Sequence, residues 1–145
     1  MNQDGNAGLI AFYNRLLEAE RAGVQALTGI SSKVENEEQK KLLTKFLRDE
    51  GMNCQILTTF IKDAKGEPTV RVGDFIDKIR ALSTIDEQLL LLIKGQEWVA
   101  KYIRRNRDLL FKTSDHMFME SIKIQHEENV DALKKYINSG EEKIK

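Results

Sequence analysis

The chain has 145 residues, 41% of them hydrophobic and 32% charged, enough to bury one core without disulfides or a structural metal. Its 23 basic and 23 acidic residues cancel, so no net field draws nucleic acid or an anionic membrane, and the single Cys54 excludes an internal disulfide. No apolar run, Leu89 to Ile93 included, approaches the length of a membrane span.

Four segments carry helical periodicity, and Pro68 is the only proline to interrupt them. The opening MNQDGNAG lacks the basic start and apolar core of a signal peptide, which makes a cytoplasmic location the expectation. The first helix is expected from Leu9 to Ile30, with Tyr13, Leu16, Leu17, Val24 and Leu27 on one face. Ser32, with Glu35 three residues on, reads as a capping box for a second helix over Glu35 to Lys65, which Gly66-Glu67-Pro68 then stops. Residues 66–83 form a long crossover with a short helix over Asp74 to Leu82. Thr84 and Glu87 cap a third helix that should reach Phe111, and a fourth should run from Asp115 to Asn138, leaving a frayed tail over 139–145. Short links within each pair and a long link between pairs predict a single domain. It is an all-α, antiparallel four-helix bundle made of the helical hairpins 9–65 and 84–138.

The two hairpins register on one another at an offset of 76 residues. Tyr13 falls on Leu89, Leu16 on Leu92, Leu27 on Ile103, Leu43 on Met119, Phe46 on Ile122 and Leu57 on Leu133. Against these apolar stripes a polar set stands out. Glu20 and its counterpart Gln96, Glu50 and its counterpart His126, and Asn53 and its counterpart Asn129 all point inward at mid-length. Buried polar groups without partners cost roughly 1–3 kcal/mol each, so six at one level demand a shared purpose. A rotated third helix would turn Leu90, Ile93, Glu97 and Ala100 inward instead. Lys94, Lys101 and Arg104 crowd that face, which favours Gln96.

The stretch from Glu20 to Leu27, with a small residue three after the Glu, together with Glu50-Gly-Met-Asn53 and His126-Glu-Glu-Asn129, resembles the ferritin-like superfamily that includes bacterioferritin and rubrerythrin. Within it the chain looks most like a bacterial branch with stretches such as LLEAERAG, from Leu16, and RDEG, from Arg48. The resemblance covers residues 9–138. It implies a di-iron centre held by one Glu from each of two helices and Glu-x-x-His from the other two. The chain departs from that set: Asn53 and Asn129 stand at the His positions, Gln96 at the third-helix Glu and His126 at the fourth-helix Glu.

Three readings of this degenerate centre follow. Glu20, Glu50 and His126 with Gln96, Asn53 and Asn129 can close a hydrogen-bonded network with no cofactor, giving a non-ferroxidase, non-enzymatic protein that acts by binding or as a structural, stress-associated component. Alternatively Glu20, Glu50 and His126 hold a single divalent iron, manganese or zinc for redox or iron handling. The third reading is a small-molecule sensor with the polar cluster as its pocket. Cys54 reads as an inert small hydrophobe beside the cluster, Gly51 as ordinary helix packing and His116 as exposed. Trp98 and Tyr102 cover core or mark a homodimer face. The basic run Lys101 to Arg107 reads as a solvated helix face, and no catalytic set is visible.

Overall fold

Amphipathic periodicity without internal proline resolves into four long helices and one short one. The computed structural model describes residues 3–109 and 113–144, with side chains over 7–109 and 115–137. The helices are α1 (Gln3–Ser31), α2 (Glu37–Asp63), α3 (Phe75–Arg80), α4 (Ile85–Arg105) and α5 (Thr113–Ile144). α1 packs along α2 and α4 along α5, while α1 also meets α4 and α2 meets α5. The four long helices therefore form a square in which α1 and α5 occupy one diagonal and α2 and α4 the other. α3 lies over the α1–α4 seam, touching both helices.

Ends and caps differ in places from the expected ones. The N-cap of α2 is Asn36, whose side chain accepts from the Gln39 amide at 3.0 Å, whereas the Ser32 hydroxyl donates back to the Gly29 carbonyl at 2.7 Å. Ser32 closes α1 rather than opening α2, because the chain needs four more residues to turn. At the other end of α2, Lys65 takes the left-handed conformation, with φ 69°, and Gly66 donates to the Ile61 carbonyl at 2.8 Å. Gly66 serves a different need, since a Cβ there would lie 2.7 Å from the Ile10 side chain. Thr84 caps α4 as expected, accepting from the Glu87 amide at 3.1 Å. α4 stops at Arg105, where the Asn106 side chain donates to the Tyr102 carbonyl at 2.8 Å, and a 3-10 turn over Arg107–Leu109 follows. The expected end at Phe111 lies outside the described residues. α5 begins at Thr113 and continues through Ser139-Gly140, where the tail was expected to fray. A lone glycine costs a helix only about 1 kcal/mol, and no proline follows to stop it.

Packing divides at mid-height. One apolar cluster gathers Leu27, Ile30, Leu43, Phe46, Leu89, Leu92 and Leu133, and is roofed by Ile76 and Ile79 of α3. The other gathers Phe12, Tyr13, Leu16, Leu57, Ile61, Ile103 and Met119. The paired positions of the 76-residue offset share their burial: Leu16 and Leu92, Leu27 and Ile103, Leu43 and Met119, Leu57 and Leu133 are all core. Asn14 clamps the crossover to α1, donating to the Glu67 carbonyl at 3.0 Å and accepting from the Thr69 amide at 2.8 Å. Gln88 does the same for α3 through the Ile79 carbonyl at 3.1 Å. Among the described residues no helix is long and apolar enough to cross a membrane.

The left-handed Lys65 gives a direct test of this reading of the α2 terminus. Lys65→Gly should raise stability by roughly 1 kcal/mol, a gain of about 2–4 °C in Tm. Gly66→Ala should lower it, because the methyl has to displace Ile10. Chemical denaturation of the two variants checks the signs, and a reversed order would misplace the cap.

Candidate metal centre

Between the two apolar clusters lies a layer of buried polar side chains, one or two from each long helix. α1 supplies Glu20, α2 Glu50 and Asn53, α4 Gln96, and α5 His126 and Asn129. Their helical spacing puts them on the inner face, and the large residues a turn above and below hold them at one height. Contacts in the layer run across both diagonals of the square. His126 Nε2 lies 2.9 Å from Glu20 Oε1 and 3.9 Å from Glu50 Oε1, and the Gln96 amide donates to Glu50 Oε1. One ligand atom from each of Glu20, Glu50 and His126 falls within 4.8 Å of the others. Asn53 steadies the edge of the group, its amide 3.4 Å from Glu20 Oε1 and 2.7 Å from Gln125 Oε1.

The imidazole is set by its other nitrogen. His126 Nδ1 lies 2.8 Å from the Ile122 carbonyl, which can only accept, so Nδ1 carries a proton and Nε2 is the atom presented to the carboxylates. Nε2 and Glu20 Oε1 make a buried ion pair when the ring is protonated. Glu20 Oε2, Glu50 Oε2 and Gln96 Oε1 are buried without a hydrogen-bond partner. Burial, then the nearby Glu20 charge, pushes the Glu50 carboxyl well above the usual carboxylate range. Burial alone would push His126 down, but the Glu20 carboxylate, Glu50 and the Ile122 carbonyl overrule it and raise His126 to about 9. In the absence of a cation, the layer is thus balanced by protons.

Gly23, three residues after Glu20, makes room for this arrangement. A Cβ on Gly23 would stand 2.1 Å from Glu50 Oε2, so the carboxylate occupies the notch that glycine leaves. Gln96 is 4% exposed, while the Glu97 side chain is 39% exposed and 3.5 Å from Lys134, so α4 is not rotated toward Glu97. Asn129 belongs to the layer but turns from its centre: Lys45 donates to its Oδ1 at 3.1 Å, and its amide lies 3.5 Å from Asp49 Oδ2. Cys54 is half-buried, and burial with the Glu20 and Glu50 charges pushes its thiol up to about 12, which keeps it protonated. A Cβ on Gly51 would meet nothing within 4 Å, so no neighbouring residue requires glycine there. His116 is partly buried, against the expectation of exposure. The outer supports Lys45, Asp49 and Gln125 escaped the sequence reading because they flank the inner face of their helices, outside the apolar stripe.

A family model described as a domain of unknown function, DUF6306, matches residues 7–135. No curated protein matches the chain. Among solved structures, a crystal structure described as ferritin like, diiron-carboxylate proteins from Bacillus anthracis str. Ames superposes with a TM-score of 0.67 at 14% identity, covering 100% of both chains. The fold is therefore ferritin-like, as the sequence resemblance implies.

The proton balance of the layer has a measurable consequence. Both shifted groups bind protons more tightly when folded, so their contribution is complete below the unfolded values and lost as pH rises through the folded ones. For His126 that window runs from 6.5 to about 9. With chelator present, Tm should fall across it by roughly 4 °C per pH unit. A flat melting profile there would mean the layer is not protonated as described.

Proposed function

The chain belongs to the DUF6306 family, and we propose that its bundle holds one divalent transition-metal cation between Glu20, Glu50 and His126. The observation that carries this reading is the buried trio Glu20, Glu50 and His126, one ligand atom of each within 4.8 Å of the others, in which Glu20 Oε2 and Glu50 Oε2 have no hydrogen-bond partner. A closed hydrogen-bond network would pair such atoms, since each orphan costs roughly 1–3 kcal/mol. A cation between the three residues would accept a lone pair from each at once.

The donor set fits one cation better than two. Two carboxylates neutralise one divalent charge, and an imidazole with two carboxylates suits iron, manganese or zinc. A second cation would need further carboxylates, but the counterpart positions hold Gln96, Asn53 and Asn129, and Asn129 is engaged by Lys45 and Asp49. We therefore read the protein as a mononuclear relative of the two-metal ferritin-like centres rather than a ferroxidase of the usual kind. A bound cation would supply Lewis acidity and, for iron or manganese, one-electron chemistry.

The chain's own residues prepare the site. The Ile122 carbonyl orients His126 so that Nε2 is the ligand nitrogen, as supporting partners of ligating histidines generally do. The Gln96 amide holds one oxygen of Glu50, and Asn53 borders Glu20. Neighbouring Leu16, Leu57, Val99 and Ile122 are buried and limit bulk water around the group.

Elemental analysis of protein purified without chelator should find close to one iron, manganese or zinc per chain. Glu50→Gln and His126→Gln should each weaken binding at least a hundredfold while the helical spectrum is kept, and uptake should release protons. Two metals per chain would restore a two-metal centre. No metal at all, with added cobalt failing to bind, would leave the closed network as the correct description.

A further inference from the structure

A second feature opens onto the polar layer from outside. Between α1 and α4, under the crossover, lies a cleft of about 320 Å³ whose floor includes Gly23, Glu50 and Gln96. Its walls are apolar, with Ala22, Leu92 and Val99 from the two helices and Phe75 from α3. Phe75 sits over Gly95, where a Cβ would lie 3.1 Å from its ring, so the small residue on α4 deepens the cleft. The floor offers hydrogen-bonding atoms with no partner, Glu50 Oε2 in the Gly23 notch and Gln96 Oε1. Such atoms, nearly wholly buried at the end of an apolar-walled opening, are the kind of convergent polar groups that orient a bound small molecule.

The mouth is charged. Arg15 lies 3.5 Å from Glu18 and 5.1 Å above the Trp98 ring, and Lys78 lies 3.6 Å from Asp74. These neighbours largely offset one another. Lys94, also at the mouth, has no ion-pair partner among the described residues, which leaves the rim with one surplus positive charge.

We propose that this cleft binds a small amphipathic organic acid, its carboxylate at the rim against Lys94, its apolar body between α1 and α4, and a hydroxyl at its far end donating to Gln96 or Glu50 on the floor. The volume suits a ligand of roughly ten to fifteen non-hydrogen atoms. The pocket shares Glu50 with the proposed metal site but not Gln96 or Lys94, and its floor atoms and rim charge are present in the metal-free chain.

A matched set of probes tests it, with chelator present throughout so that the fate of the metal reading has no bearing. Calorimetric titration of the full chain with 4-hydroxyphenylacetate should give a Kd of about 1 mM or tighter, the range expected for so small a ligand. Phenylacetate, lacking the hydroxyl, should bind roughly tenfold more weakly, and 4-hydroxyphenethylamine, with a cation in place of the acid, should not bind measurably. Lys94 is exposed, so Lys94→Glu should fold normally and weaken the acid at least threefold. Trp98, the only tryptophan and a wall of the cleft, should change its emission on binding. Absence of binding, equal binding of acid and amine, equal binding with and without the hydroxyl, or unchanged affinity in Lys94→Glu would each overturn the proposal.

Discussion

Two carboxylates and an imidazole inside an apolar bundle set the terms for the rest of this structure. An ionised group moved from water into a low-dielectric interior is unfavourable by several kcal/mol unless an opposite charge compensates, and removing one partner from such a group typically costs about 3–5 kcal/mol. His126 meets Glu20 across one diagonal of the square and Gln96 holds Glu50 across the other, so each long helix must stand at the height where its polar residue meets the others. The two apolar clusters hold that height from either side. Gly23 and the Ile122 carbonyl then settle details that the helices alone leave free, the place of a carboxylate oxygen and the direction of a ring.

The twofold character of the chain explains both the order of the layer and its lopsidedness. Equivalent helices bring equivalent positions to the centre, yet the side chains differ: Glu20 corresponds to Gln96, and Glu50 to His126. The apolar partners are interchangeable because burial asks only for volume and hydrophobicity. The polar ones are not, since charge has to balance over the whole layer rather than within each half. Asymmetry appears outside the layer as well. Gly23 corresponds to Val99, and α3 covers only the seam between α1 and α4, so a cleft opens on that side.

Chemistry in this centre follows from a conflict between solvation and coordination. Without a cation, the layer holds protons that free carboxylates and imidazoles in water would give up, which is why Glu50 and His126 are both shifted upward. In the proposed metal-bound form, a divalent cation held by Glu20, Glu50 and His126 would substitute for those protons. Proton and metal would then compete for the same three side chains, whichever metal is bound.

Local regularities in the sequence were sufficient for the helices, their pairing and the height of the polar layer. Apolar residues at helical spacing define an inner face, and any polar residue interrupting that stripe, such as Glu20 or His126, has to lie inside. The Thr84 cap was equally legible, because its partner Glu87 is three residues away. What the sequence left undecided involves distant segments. Ser32 and Asn36 compete for the same turn, and the winner depends on how far the chain travels before α2 can pack on α1. Asn53 and Asn129 are equivalent in the repeat, but only packing against Lys45, Asp49 and Gln125 sends one to the centre and the other outward. The cleft under the crossover has no local signature at all, since it exists only where α1, α3 and α4 meet. Periodicity is a property of one helix, whereas the direction of a side chain and the space left beside it are decided by neighbours far away in the chain.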